Sequence, residues 1–182
     1  MNETEKMTWL NEPESWSKTD RGVTIKSMPE TDFWRLTHDG GIRHNGHFYH
    51  EVVLGNFSFQ SRFQGQYKDQ YDQSGLMVRA SDSEWIKCGI EYVDGMPQAS
   101  SVVTMAQSDW AISPVACPPI VTFRIQRTGN LIEISYGESE SKCRLIRQVT
   151  FQTTGPIQAG IMTASPKGNG FKTEFLEWEL KS

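Results

Sequence analysis

The chain of 182 residues carries 18 Lys and Arg against 22 Asp and Glu, a formal net charge of −4, and its bases are scattered. That distribution excludes the basic stripe expected of a nucleic-acid binder. The length lets roughly 70% of the unfolded surface be buried, so the core needs no disulfide or metal staple.

The three cysteines, Cys88, Cys117 and Cys143, have no C-x-x-C spacing, which argues for reduced thiols rather than a disulfide framework or a thiolate zinc site. The start, MNETEKMTWLNEPESW, lacks the apolar core of a signal peptide, and no run approaches the ~20 apolar residues of a membrane span. The expected compartment is the cytoplasm, with no membrane partner, and the sequons at Asn2 and Asn56 are read as accidental. Residues 1–182 are expected to form one domain, with 1–7 a loose N-terminal segment.

In chain order, the first distinctive stretch is HDGGIRHNGHFYH, residues 38–50, which holds all four histidines. Asn45-Gly46 is a preferred type I′ hairpin pair and sets His44 opposite His47, with Cβ atoms about 5 Å apart. The same register pairs Gly41 with His50 and turns His50 to the other face. A metal site would need His44 and His47 plus His38 or Asp39, carried back by Gly40-Gly41, for a divalent first-row ion. The stretch is read first as a polar hairpin tip, second as the rim of a ligand cleft and third as a metal site. No cofactor is expected.

Beyond it the dominant signal is period two. Phe57, Phe59, Phe63 and Tyr67 share one parity. Residues 75–80 and 85–93 form a hairpin around Ala80–Glu84. Val121, Phe123 and Ile125 alternate with polar residues, as do Ile132, Ile134 and Tyr136, and then Cys143, Leu145, Val149 and Phe151. In FKTEFLEWEL, residues 171–180, the parity moves from Phe171 and Phe175 to Leu176, Trp178 and Leu180, as a β-bulge requires. Turn chemistry falls between these runs at Asp94-Gly95, Gly129-Asn130 and 166–170. With no amphipathic stretch longer than two helical turns, the chain is expected to be all-β: an antiparallel two-sheet β-sandwich of jelly-roll type.

Four runs, TDFWRLTHDGGIRHNGHFY (31–49), YDQSGLMVRASDSEWIKCGIEYVDG (71–95), SVVTMAQSDW (101–110) and IMTASPKGNGF (161–171), resemble an uncharacterised bacterial domain family related to the fungal regulation-of-enolase protein. The resemblance spans about residues 8–180 and implies a concanavalin A-like fold, as in lectins and glucanases; it implies no reaction. Asp39, Gly41 and His44 depart from the family's pattern, so the histidine stretch belongs partly to this member.

Curved sandwiches of this kind bind ligands on the concave face of one sheet. Ile86, Cys88, Ile90 and Tyr92 alternate with Trp85, Lys87, Gly89 and Glu91, and the apolar set belongs in the core. Gln73, Arg79, Lys87, Glu91 and Ser101 are therefore expected in a polar row beside Trp85. An aromatic ring suits the apolar face of a carbohydrate or other polyhydroxylated molecule, and charged groups suit its hydroxyls. The alternative is a solvated face of cross-strand pairs. Trp34 and Trp110 are read as core plugs that could extend the platform.

A glycan-acting hydrolase or lyase would use Glu91 as acid or base, with Asp94 as the nearest sequence candidate for a second carboxylate. Glu174, Glu177 and Glu179 are read as solvated strand residues. No nucleophile elbow, H-E-x-x-H, P-loop or dinucleotide fingerprint occurs. Cys117, in a Cys-Pro-Pro loop, has no activating neighbour in the sequence. The first functional expectation is a non-catalytic carbohydrate- or polar-metabolite-binding sandwich, the second a hydrolase or lyase, and the third a regulatory domain with a protein partner.

Overall fold

Alternating side chains build strands that bury one face, and two such faces close on each other. The structure, a computed structural model, describes residues 7–114 and 119–182; Asn2 and Cys117 lie outside them. The strands are β1 (Thr8–Leu10), β2 (Ser15–Lys18), β3 (Val23–Lys26), β4 (Phe33–Arg35), β5 (Ile42–His44), β6 (His47–Val53), β7 (Phe57–Gly65) and β8 (Gln73–Ser81). They continue as β9 (Glu84–Val93), β10 (Met96–Met105), β11 (Gln107–Ser113), β12 (Val121–Thr128), β13 (Leu131–Gly137), β14 (Arg144–Thr150), β15 (Ile157–Ala164) and β16 (Lys172–Lys181). Among the described residues the one helical element is a 3-10 turn, Glu140–Lys142.

Two antiparallel sheets of seven strands result, ordered β1-β6-β15-β8-β9-β10-β11 and β14-β13-β12-β7-β16-β3-β2. The all-β sandwich expected from periodicity is what the chain forms. Between the sheets lies an aromatic-rich core in which Phe63 meets Phe123 and Phe175 at ring separations of 5.9 and 5.3 Å. Burying each such ring contributes roughly 2–3 kcal/mol.

The parity switch in β16 is the anticipated bulge, with the register against β7 shifting between Phe175 and Glu177. It returns Trp178 and Leu180 to the core side opposite Ser61 and Phe59. The bulge also leaves Glu174 on the same outward side as Glu177 and Glu179, although plain alternation sets it apart. A second bulge, in the β13–β14 pairing, was not anticipated. It turns Leu145 outward, so Leu145 does not share the buried face of Phe151.

The histidine hairpin does not form. Strand β6 lies between β1 and β15, so both its hydrogen-bonding edges are taken, and β5 pairs instead with β4. The Asn45-Gly46 pair is pinned to the preceding segment: both amides donate to the Asp32 carbonyl, at 3.1 and 3.0 Å. The Asn45 side chain accepts from the Asp32 amide and donates to the Glu30 carbonyl.

The β4–β5 ribbon caps the outer face of the first sheet, the face turned away from the second. Phe33 packs there with Phe48, Met77, Trp85, Val102, Met162 and Ala164 in a second, smaller core. The cap is tied down by the Arg35 amide donating to Ser108 Oγ at 2.9 Å and by Thr37 Oγ1 donating to the Ser108 carbonyl at 2.6 Å.

Candidate functional site

Directly paired antiparallel residues point to the same side of a sheet, so the registers lay out the outer face in rows. One row runs Ala164, Gln73, Glu91, Gln98. The next runs Phe48, Met162, Gly75, Gly89, Ser100, Ile112. A third holds His50, Gly160, Met77, Lys87, Val102 and Trp110, and a fourth Gln158, Arg79, Trp85, Thr104 and Ser108.

The glycine pair in the second row opens a hollow of about 10 Å³ lined by Gln73, Lys87, Glu91, Ser100 and Met162, room for one water-sized group. The backbones meet closely there: a Cβ on Gly75 would lie 2.0 Å from the Cys88 carbonyl oxygen, and one on Gly89 2.0 Å from that of Ser74. Only glycine lets the strands approach so closely while leaving the space above them empty.

A buried polar network surrounds the hollow. Lys87 Nζ donates to Gln73 Oε1 at 2.6 Å, to the Phe33 carbonyl at 2.7 Å and to Asp32 Oδ1 at 3.3 Å. Asp32, delivered by the cap, is thus the counter-ion of a lysine whose side chain is 5% exposed. Glu91 is 7% exposed, and its Oε2 accepts from Ser100 Oγ at 2.6 Å and from Trp110 Nε1 at 2.9 Å. Burial raises its carboxyl above the usual range, against the opposing pull of Lys87, and the charge of Asp32 adds to the rise.

Trp110 is 38% exposed and stands edge-on to Tyr71, with ring centroids 6.1 Å apart and planes at 83°. Tyr71 adopts φ +70°, a left-handed conformation that costs a non-glycine residue roughly 1–2 kcal/mol. The chain accepts that strain beside Trp110 and Gln73.

Of the residues expected in the polar row, Gln73, Lys87 and Glu91 meet around the hollow. Ser101 does not, because the Asp94-Gly95 turn pairs Val93 with Met96 and hence Gly89 with Ser100. Ser101 falls opposite Cys88, faces the sandwich interior and accepts a hydrogen bond from Arg147 of the other sheet at 3.0 Å. Arg79 lies in the fourth row, bonded to Gln158 and Asp82. Trp85 shares that row but is fully buried beneath the cap, 6.2 Å from Phe33. It is a core residue, and no ligand can stack on it. Trp110, read as a core plug that could extend the platform, is the aromatic beside Glu91. Asp94 sits in its turn with φ +52° and bonds to Gln70, so Asp32 is the carboxylate whose charge reaches Glu91.

The histidines disperse. His47 Nε2 accepts from the Met28 amide at 3.0 Å and its Nδ1 donates to the Asn11 carbonyl at 2.7 Å, so both nitrogens serve the backbone. His44 Nε2 accepts from Arg35 at 3.1 Å, and His38 is exposed in the β4–β5 turn. Neither His44 nor His47 lines the hollow, and among the described residues no group of three or more His, Cys, Asp or Glu could hold a metal ion.

Sequence reasoning missed Ser100, Tyr71 and Asp32. Counting back from the Asp94-Gly95 turn would have found Ser100. No local signal announces the other two, which arrive from a loop and the cap.

The two-sheet β-sandwich is a fold shared with solved structures of low sequence identity. The carbohydrate binding module CBM66 from Bacillus subtilis superposes with a TM-score of 0.64 at 11% identity, over 97% of this chain and 96% of that one. The chain itself belongs to the family described as Protein of unknown function (DUF1349), which it matches over residues 9–182. It is 36% identical over 174 residues to "Regulation of enolase protein 1" of Saccharomyces cerevisiae, covering 95% of this chain and 88% of that protein. A crystal structure described as a functionally unknown protein from Saccharomyces cerevisiae matches with a TM-score of 0.94 at 35% identity, over 97% of this chain and 96% of that one.

Proposed function

We propose that this protein is a non-catalytic binding module that takes a small polyhydroxylated ligand, a carbohydrate or related polar metabolite, at the hollow on the outer face of its first sheet. The observation that carries the reading is Glu91, a buried carboxyl whose two hydrogen bonds among the described residues both fall on Oε2, while the residue lines an opening beside a part-exposed tryptophan. Trp110 and Tyr71 offer apolar surface to a ring, and the hollow offers polar atoms to one substituent on it. The fold likeness to a carbohydrate binding module agrees with this reading without carrying it.

The test is titration with a broad panel of monosaccharides, oligosaccharides and polyols, followed by tryptophan fluorescence. The expected signal is saturable and lost in Trp110→Ala; a panel that leaves the spectrum unmoved sinks the proposal. A hydrolase using Glu91 would need Asp32 across the site. Asp32 is already engaged by Lys87, Gln73 and the Phe33 amide, which favours binding over catalysis. The compartment proposed is the cytoplasm, in keeping with free thiols at Cys88 and Cys143.

A second reading, a regulatory protein-interaction domain, draws on the yeast relative's name and on Trp110 and Ile112, both 38% exposed on β11. It predicts that alanine at both positions abolishes association with a protein partner while leaving sugar titrations unchanged.

A further inference from the structure

We propose that the group seated in the hollow is a primary ammonium, so that the ligand is an amino sugar or a similar amino-polyol. This rests on the polyol reading above and narrows it. The argument is one of unmet hydrogen bonds. All three donors of Lys87 Nζ are spent, on Gln73, Asp32 and the Phe33 carbonyl. Both donors of Gln73 Nε2 are spent, on the Tyr71 carbonyl at 3.2 Å and Asp32 Oδ1 at 3.4 Å. Ser100 Oγ and Trp110 Nε1 donate to Glu91 Oε2.

What the hollow still offers is acceptor capacity: Oε1 of Glu91 and the remaining lone pair of Gln73 Oε1. A hydroxyl placed there finds no donor for its own oxygen, whereas an ammonium carries three donors and needs no acceptor. Its size also suits a space of about 10 Å³, since an –NH3+ group is close to a water molecule in volume.

Charge points the same way. Lys87 and Asp32 form a pair, which leaves Glu91 as the surplus acid of the network. The charged groups acting on Glu91 are Lys87 from its own strand and Asp32 from the cap; β8, β10 and β11 bring the neutral Gln73, Ser100 and Trp110. In the empty site burial makes this carboxylate costly and raises its pKa. An arriving ammonium supplies the opposite charge and stabilises the carboxylate, so binding shifts the Glu91 titration downward.

The experiment is calorimetry on the full chain near neutral pH with glucosamine, glucose, N-acetylglucosamine and methylammonium. Glucosamine should bind about tenfold or more tighter than glucose, as charge-assisted hydrogen bonds require. N-acetylglucosamine should lose that advantage. Glu91→Gln should bring glucosamine down to the level of glucose. Equal binding of glucose and glucosamine overturns the ammonium inference and leaves the polyol reading standing. Binding of methylammonium that no polyol improves upon supports the ammonium inference and removes the polyol reading. Silence from all four probes overturns the inference. Should Glu91→Gln fail to fold, the carbon-13 carboxyl resonance of Glu91 in the unaltered chain carries the same test. Its titration midpoint should fall when methylammonium is added, and an unmoved midpoint overturns the inference.

Discussion

His50 turns the burial of one side chain into a pH dependence. Its ring lies against Phe48 at 4.7 Å and accepts from Gln158 at 3.3 Å, and its Nδ1 is buried without a partner. Desolvation holds its pKa down to about 4, with Arg79 adding to the effect. A histidine kept neutral by folding stabilises the native state fully above its unfolded pKa of about 6.5 and progressively less as pH falls toward 4. Glu91, raised by burial, acts in the opposite sense as pH climbs through its range. The readable quantity is therefore the difference between urea melts of the unaltered chain and of His50→Phe, which should widen in favour of the variant from pH 6.5 down to 4.

At Gly89 the constraint is steric: an alanine Cβ 2.0 Å from the Ser74 oxygen should cost about 1–3 kcal/mol in the same melts. It should also fill the hollow, so that any ligand signal disappears in the fraction that folds.

Among the elements, the cap depends on one buried ion pair. Asp32→Ala would strand Lys87 beneath Phe33 and should destabilise the protein by about 3–5 kcal/mol. The double variant Asp32→Ala/Lys87→Met removes both charges and should cost much less. Equal losses in chemical denaturation would refute this account.

The elements also differ in how far they could be read from sequence. The bulge at Leu176 is legible because a parity switch is a local signal that any strand must obey. The histidine ribbon is not. Asn45-Gly46 favours a hairpin locally, but that preference is overridden by β1 and β15, distant segments that occupy both edges of β6. Likewise Ser101 and Ser100 differ by one residue of register, and a one-residue slip exchanges the two faces of a strand.

For the molecule as a whole, the sandwich follows from alternation alone, while the third layer does not. Strands β8 and β9 alternate as if one face met water, yet that face holds Trp85 and Met77 with no exposure at all, because a short ribbon covers it. Three-residue strands such as β4 and β5 leave no periodic trace. Layering therefore separates the roles of two tryptophans. Trp85→Ala should lower stability by about 3–5 kcal/mol and abolish binding only by unfolding. Trp110→Ala, which removes one hydrogen bond to Glu91, should cost less, about 1–2 kcal/mol, and should remove the ligand response in the folded chain. The opposite pattern would mean that the site lies elsewhere.

Among the described residues β11 is the last strand of its sheet and ladders with β10 alone, yet it supplies the indole that holds Glu91. The rim of the hollow thus belongs to the part of the sheet that opens most readily by local unfolding. Occupancy would link that opening to ligand concentration: amide hydrogens of Gln107–Ser113 should exchange with solvent more slowly as the hollow fills, while those of β9, locked between two partners, keep their rate.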